Sequence, residues 1–147
     1  MLDKFSLKGQ TALITGSTGG LGSAICEVLA ESGADVIINH LSQPDEADAL
    51  RTTVEKIGSR ACVVQADVSR EDEVNAMFQI IERTGQSVDI LINNAGISQP
   101  KDIFTMELDD WNRVMRVNLT SCFLCSRAAM RMMRERGSGR IVNISSV

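Results

Sequence analysis

The chain contains no tyrosine and a single histidine, His40. No phenol is therefore available for acid–base chemistry, and no cluster of imidazoles for holding a metal. Positive charge is not in excess either. Fifteen lysines and arginines against nineteen aspartates and glutamates leave a net charge of −4, which gives no electrostatic reason for nucleic acid or an anionic membrane as partner. The basic residues that do cluster, at 131–140, fit the charged end of a helix, where cations offset exposed carbonyls. No apolar stretch reaches the roughly 20 residues of a membrane span. The start, Met1-Leu2-Asp3-Lys4, has no signal-peptide apolar core, so the expected location is cytoplasmic. Four cysteines (Cys26, Cys62, Cys122 and Cys125) make no disulfide framework in a cytosolic chain of 147 residues. Cys122 and Cys125 have C-x-x-C spacing, but they lie in a continuous helical pattern. They are expected to pack as small apolar residues, with no metal bound.

What is present is a regular alternation of short β-branched runs with longer amphipathic stretches. Strands are predicted at residues 10–15, 34–39, 60–66, 88–92 and 140–144. Helices are predicted at 21–32, ended by Gly33, and at 45–57, opened by Pro44 and closed by Gly58. A third helix runs to about residue 83 behind Ser69-Arg70-Glu71-Asp72, which has the form of a capping box. A long helical stretch covers 108–136, with a short lead-in helix before it. Strands alternating with helices give an α/β fold: a doubly wound parallel sheet, ordered 3-2-1-4-5 by right-handed crossovers. There is no repeat, low-complexity tract or linker, and a chain of this length buries about two-thirds of its surface, so residues 1–147 are read as one domain. The sequence stops just after the fifth strand, with Ile141, Val142 and Ile144 still requiring burial. The expectation is a single doubly wound domain truncated after that strand.

The segment Thr15-Gly16-Ser17-Thr18-Gly19-Gly20-Leu21-Gly22 follows the apolar run Ala12-Leu13-Ile14 directly. A diphosphate needs backbone N–H groups aimed at it and a helix N-terminus beneath it, and glycines let the phosphate oxygens approach. Gly16, Gly20 and Gly22 supply G-x-x-x-G-x-G spacing, which is neither G-x-G-x-x-G nor the lysine-ended loop of nucleoside triphosphatases. Asn93-Asn94-Ala95-Gly96 follows the fourth strand at the sheet edge where ligands bind in doubly wound folds. Asp67-Val68 ends the third strand, where a carboxylate can accept from an adenine amino group.

These motifs, with Val117-Asn118-Leu119 in the long helix and Asn143-Ile144-Ser145-Ser146 at the last strand's end, occur in the order seen in one family. The chain resembles the short-chain dehydrogenases/reductases, of the kind that includes 3-oxoacyl-carrier-protein reductases and sugar or sugar-acid dehydrogenases. The resemblance covers essentially the whole sequence and implies a Rossmann-like sheet. It implies that Gly16, Ser17, Thr18, Gly20, Leu21 and Gly22 form the diphosphate turn, that Asp67 and Val68 contact adenine, and that Asn94, Ala95 and Gly96 flank the ribose and nicotinamide. His40, following the second strand, falls beside the adenosine ribose. Asn118 matches the asparagine that holds a water in a proton relay, and Ser146 the serine that orients the substrate carbonyl or hydroxyl.

The family's remaining catalytic members are a tyrosine and a lysine in a Y-x-x-x-K helix beyond that serine. Here no tyrosine exists, and Lys4, Lys8, Lys56 and Lys101 are not placed to substitute. The resemblance thus implies an NAD(P)-dependent oxidoreductase interconverting a secondary alcohol and a ketone, present as its cofactor-binding portion and inactive as written. The alternative is a noncatalytic dinucleotide-binding or sensing module. Cofactor choice is set mainly after the second strand, where Asn39-His40-Leu41-Ser42 offers neither an acidic residue nor an arginine. Absence of a cation tilts the choice toward NAD and leaves NADP open. The expected partner is a small alcohol or ketone, and full-length family members form homo-oligomers.

Overall fold

The computed structural model describes residues 5–145. Five parallel strands, β1 (Thr11–Ile14), β2 (Asp35–His40), β3 (Ala61–Gln65), β4 (Ile90–Asn93) and β5 (Arg140–Asn143), form one sheet in the order β3-β2-β1-β4-β5. The predicted topology is the observed one. Strand boundaries shift by a residue or two, as they must when pairing rather than composition ends a strand.

Side chains leave alternate faces of each strand, and this divides the core in two. Leu13, Ile37 and Leu91 stand in register across β1, β2 and β4 and face α3 (Glu71–Arg83) and α5 (Ser121–Arg136). Val74, Met77, Ile81, Leu124 and Ala129 close over them. On the opposite face Ala12, Ile14, Val36, Ile38, Ile90 and Ile92 pack against α1 (Gly20–Glu31) and α2 (Pro44–Ile57). A fully buried side chain of this kind contributes about 1.5–3 kcal/mol, so each face is amply driven to form. The order reverses at β1, which lies between β2 and β4. The carboxyl ends of β1 and β4 therefore splay their following loops apart and open a crevice there.

Three local expectations change. The Ser69–Asp72 capping box does not form. Ser69 donates both its N–H and its hydroxyl to Asp67 Oδ1, at 2.9 and 2.7 Å, because that carboxylate lies only two residues away. α3 instead starts behind Arg70 with Glu71, Asp72 and Glu73 in its first turn, which offsets the helix dipole. The lead-in helix is replaced by a turn at residues 103–105, where Asp102 Oδ1 accepts from the N–H groups of Phe104 and Thr105. The long helix is also not uniform: α4 (Leu108–Met115) passes through a π-helical turn (Arg116–Thr120) before α5. On α5, Met132 and Met133 are buried and Met130 is exposed. β5 is an edge strand, with Val142 and Ile144 substantially exposed. No helix among the described residues is long and apolar enough to cross a membrane.

Candidate functional site

The crevice contains a cavity of about 840 Å³, walled by the turn after β1, the ends of β2 and β3, the segment after β4, and one face of α4. Its floor is built by three polar residues, of which Thr15 and Asn39 are buried and Asn94 half-buried. Thr15, 2% exposed, accepts at Oγ1 from the N–H groups of Asn94 and Ala95, both at 3.0 Å, and so ties the end of β1 to the segment after β4. Asn94 returns the tie, donating from Nδ2 to the carbonyls of Thr15 and Gly16 at 3.0 Å each. Asn39, 2% exposed, accepts from the Gly16 N–H at 3.2 Å and donates to the carbonyls of Val64 and Ala66. One side chain thus holds the ends of β1, β2 and β3 together.

The turn from Gly16 to Gly22 owes its shape to two different demands. Gly16 has φ +61°, and a Cβ there would lie 3.0 Å from Ala95 Cα. A Cβ on Gly22 would lie 2.5 Å from the Gly16 carbonyl oxygen and 2.8 Å from Asn94 Nδ2. Packing alone explains those two. It does not explain Gly20, where a Cβ would meet nothing within 4 Å. Gly20 opens α1 and lines the cavity, so the space over it is the cavity itself.

The end of α1 differs from the other helix starts around it. α2, α3 and α4 each carry two or three acidic residues in the first turn, whereas α1 has none and no side-chain cap. α2 and α3 likewise lack a side-chain cap, so it is the missing acidic residues that leave the positive end of the α1 dipole, beside the cavity, without internal compensation. A glycine-walled space over such a helix end fits a diphosphate, and the residues present therefore fit a dinucleotide.

Among the expected cofactor-side residues, Gly16, Thr18, Gly20, Leu21, Gly22, Asp67, Val68, Asn94, Ala95 and Gly96 all line this one cavity. Ser17 and His40 do not. Ser17 is fully buried, donating to the Ile14 carbonyl at 2.6 Å and accepting from the Asn39 N–H, so it builds the turn from beneath. His40 is 3% exposed and its Nδ1 accepts from the Gln43 N–H at 3.1 Å, holding the loop after β2. Leu41 and Gln43 reach the cavity in its place. Asn118 sits behind the wall in the π-helical turn, its Oδ1 and Nδ2 both joined to the Ile97 main chain at 2.8 Å. Its amide is thereby committed to holding the segment after Gly96, and its own carbonyl accepts a weak bond from Cys122 Sγ at 3.3 Å. Ser146 lies outside the described residues.

Sequence reading passed over Thr15 and Asn39, although a polar residue ending an apolar strand was the available signal. It also passed over Arg113 of α4 and Arg116, the first residue of the π-helical turn, both of which line the cavity. Their spacing places them with Val117 on one helical face, but nothing local says that this face meets the cavity.

The segment leading from Gly96 into α4 is fastened by Asp110. Its carboxylate accepts from Gln99 Nε2 at 2.9 Å, Lys101 Nζ at 2.5 Å and the Glu107 N–H at 3.0 Å, the last being half of a capping box. The Lys101 ammonium, followed by the Glu107 N–H, holds this carboxyl below its usual range. A carboxyl depressed in the folded state stabilises that state above its unfolded pKa, and the contribution drains as pH falls through the folded value. Below about pH 4, residues 97–110 should loosen before the sheet does. Hydrogen exchange of that segment from pH 6 to pH 3 would show it, and Lys101→Ala should move the transition to higher pH. Equal loosening of β1 over the same range would refute the assignment.

The C-x-x-C pair is split by its environment. Cys125 is fully buried, and burial pushes its thiol up to about 12, whereas Cys122 is only partly covered. Among the described residues no group of three or more acidic, cysteine or histidine side chains is arranged to hold a metal.

The fold and site together define a Rossmann-like α/β domain with a glycine turn suited to a dinucleotide. Residues 10–147 match the family model described as short chain dehydrogenase, and the chain belongs to that family. It is 38% identical over 142 residues to a 3-oxoacyl-[acyl-carrier-protein] reductase of Synechocystis, covering 97% of this chain and 58% of the relative. It is 39% identical to a 2-dehydro-3-deoxy-D-gluconate 5-dehydrogenase of Formosa agariphila, covering 99% of this chain and 55% of that one. A solved gluconate 5-dehydrogenase from Burkholderia cenocepacia, in complex with NADP and tartrate, superposes with a TM-score of 0.91 at 39% identity, over 99% of this chain and 56% of that chain. The chain therefore spans a little over half the length of the relatives it matches.

Proposed function

We propose that this chain is the dinucleotide-binding part of an NAD(P)-dependent oxidoreductase that interconverts a secondary alcohol and a ketone. The observation that supports it best is Gly20, a glycine with open space over it at a helix end that has no acidic residue of its own. In this reading the α1 N–H groups and the turn from Gly16 to Gly22 hold the diphosphate. Asp67 and Val68 face the adenine, and Ala95 and Gly96 border the nicotinamide side. When bound, the nicotinamide supplies hydride chemistry; these residues orient it. Arg113 and Arg116 add positive charge to a cavity facing an anionic ligand. That charge removes the sequence-level reason for preferring NAD, and both cofactors remain in the reading. The substrate is a small alcohol or ketone, in keeping with the acyl-ketone and sugar-acid names of its relatives.

Titration with NADH and NADPH in parallel tests the reading, using energy transfer from Trp111, the only tryptophan. Saturable transfer at micromolar concentrations, competed by NAD or NADP, is expected; no transfer at millimolar concentration of either cofactor overturns it. A second reading, a noncatalytic dinucleotide-binding module, draws on the absence of tyrosine from these residues. Because the first reading also expects no turnover from these residues alone, cofactor binding without turnover by a stable native product of this same length is the result that would favour it.

A further inference from the structure

Adjacent asparagines at the end of β4 turn in opposite directions, as successive strand side chains must. Asn94 reaches β1 and the glycine turn through the carbonyls of Thr15 and Gly16. Asn93 reaches the other way, donating from Nδ2 to Asn143 Oδ1 at 2.8 Å and to Ser126 Oγ at 3.1 Å. Asn143 is its partner in the β4–β5 register, and the Ile144 N–H donates to the Asn93 carbonyl at 3.0 Å. Asn93 is 3% exposed, yet its Oδ1 accepts no hydrogen bond among the described residues. A buried amide with an unused acceptor carries a desolvation cost that an apolar side chain would avoid. β4 is otherwise apolar, Ile90-Leu91-Ile92, so the polar pair at its end is not needed to form the strand.

We propose that Asn93, with Asn143 and Ser126, is a positioning residue that couples the cofactor crevice to the carboxyl end of β5. The path is continuous. The glycine turn is bonded to Asn94, Asn94 is joined to Asn93 by a single peptide unit, and Asn93 is bonded to Asn143 and through its carbonyl to Ile144. Ser145 follows at once, and Ser146, to which the family resemblance gives the substrate-orienting role, lies outside the described residues. Among the described residues β5 pairs with β4 alone. Occupation of the crevice should therefore stiffen β5, and Asn93 is the side chain through which it does so. The ligand arm of this proposal rests on the dinucleotide reading given above.

Hydrogen exchange on the full chain, with and without saturating NADH, tests it. In the unsubstituted chain NADH is expected to slow exchange at residues 140–145 by about tenfold, the scale of a local opening equilibrium shifted by one extra constraint. Asn93→Ala should keep NADH affinity within about threefold while losing that slowing. Asn143→Ala should reproduce the loss, and Ser126→Ala should weaken the slowing. A residue that merely holds the sheet together would raise exchange at 140–145 in both states and leave the NADH-dependent difference intact. That outcome overturns the proposal, as does NADH binding to the unsubstituted chain with no change at 140–145. Failure of that chain to bind NADH or NADPH at all sinks the dinucleotide reading and this coupling together. Should Asn93→Ala not fold, the Asn143 and Ser126 variants decide the matter by the same comparison.

Discussion

Gly20→Ala should leave the protein folded, with an unchanged or slightly raised melting temperature, and should weaken NADH and NADPH binding by tenfold or more. The methyl group would meet no protein atom within 4 Å, and it would sit at the first position of α1, where alanine is favoured over glycine by up to about 1 kcal/mol. The space it would occupy belongs to the cavity over the helix end. A tenfold loss corresponds to about 1.4 kcal/mol, a modest demand for a methyl group placed against a diphosphate. Gly22→Ala should behave oppositely. Its methyl would lie 2.5 Å from the Gly16 carbonyl oxygen and 2.9 Å from Ser17 Cα, both backbone atoms that cannot swing aside. Overpacking of this kind costs about 1–3 kcal/mol, and binding would fall only because the fold does. Thermal melts and titrations on the two variants separate the demands. A destabilised Gly20→Ala protein, or one that binds normally, would refute the division.

Asn39→Leu is expected to lower the melting temperature by about 10 °C, from roughly 3 kcal/mol lost in a chain of this size. The substitution preserves volume but strands the Gly16 N–H, which now donates to Asn39 Oδ1 at 3.2 Å. It also removes the donor shared by the Val64 and Ala66 carbonyls, at 3.3 and 3.2 Å. Leaving buried main-chain groups unpaired costs about 1–3 kcal/mol each. Because Gly16 is one of those groups, cofactor affinity should fall with stability, unlike in Gly20→Ala. An Asn39→Leu protein that melts at the wild-type temperature would show that water satisfies these groups instead.

The contrast between Gly20 and Asn39 shows how the site was legible. The glycine turn could be read directly, since four glycines in eight residues after an apolar strand have few other uses. Asp67 and the Asn94-Ala95-Gly96 segment could be read because each ends a strand, and parallel strands bring their ends to one edge. Asn39 was read as the last residue of its strand and as the start of the segment that sets cofactor choice, not as a tie between strands. Its partners lie 23, 25 and 27 residues away, and no local pattern announces a side chain that bridges three strands. His40 was misread for the same reason. The last residue of β2 can turn outward to a ribose or inward to the chain, and here the Gln43 N–H captures its ring inward. The Ser69 capping box failed because a nearer acceptor, Asp67, was available.

The sequence by itself determined the sheet order, the two-faced core and the position of the crevice. These follow from the two-residue period of the strands, the longer period of the helices and the one hand available to a crossover, all of which are local or nearly so. Tertiary structure alone decided that the helical face carrying Arg113 and Arg116 turns toward the cavity, and that Ser17, His40 and Asn118 support its wall instead of facing its interior. It also decided that Asn93 and Asn94 part company toward β5 and β1. The reason is physical: hydrogen bonds and charge act over a few ångströms of space, and residues 20 to 80 positions apart enter that range only once the sheet has closed.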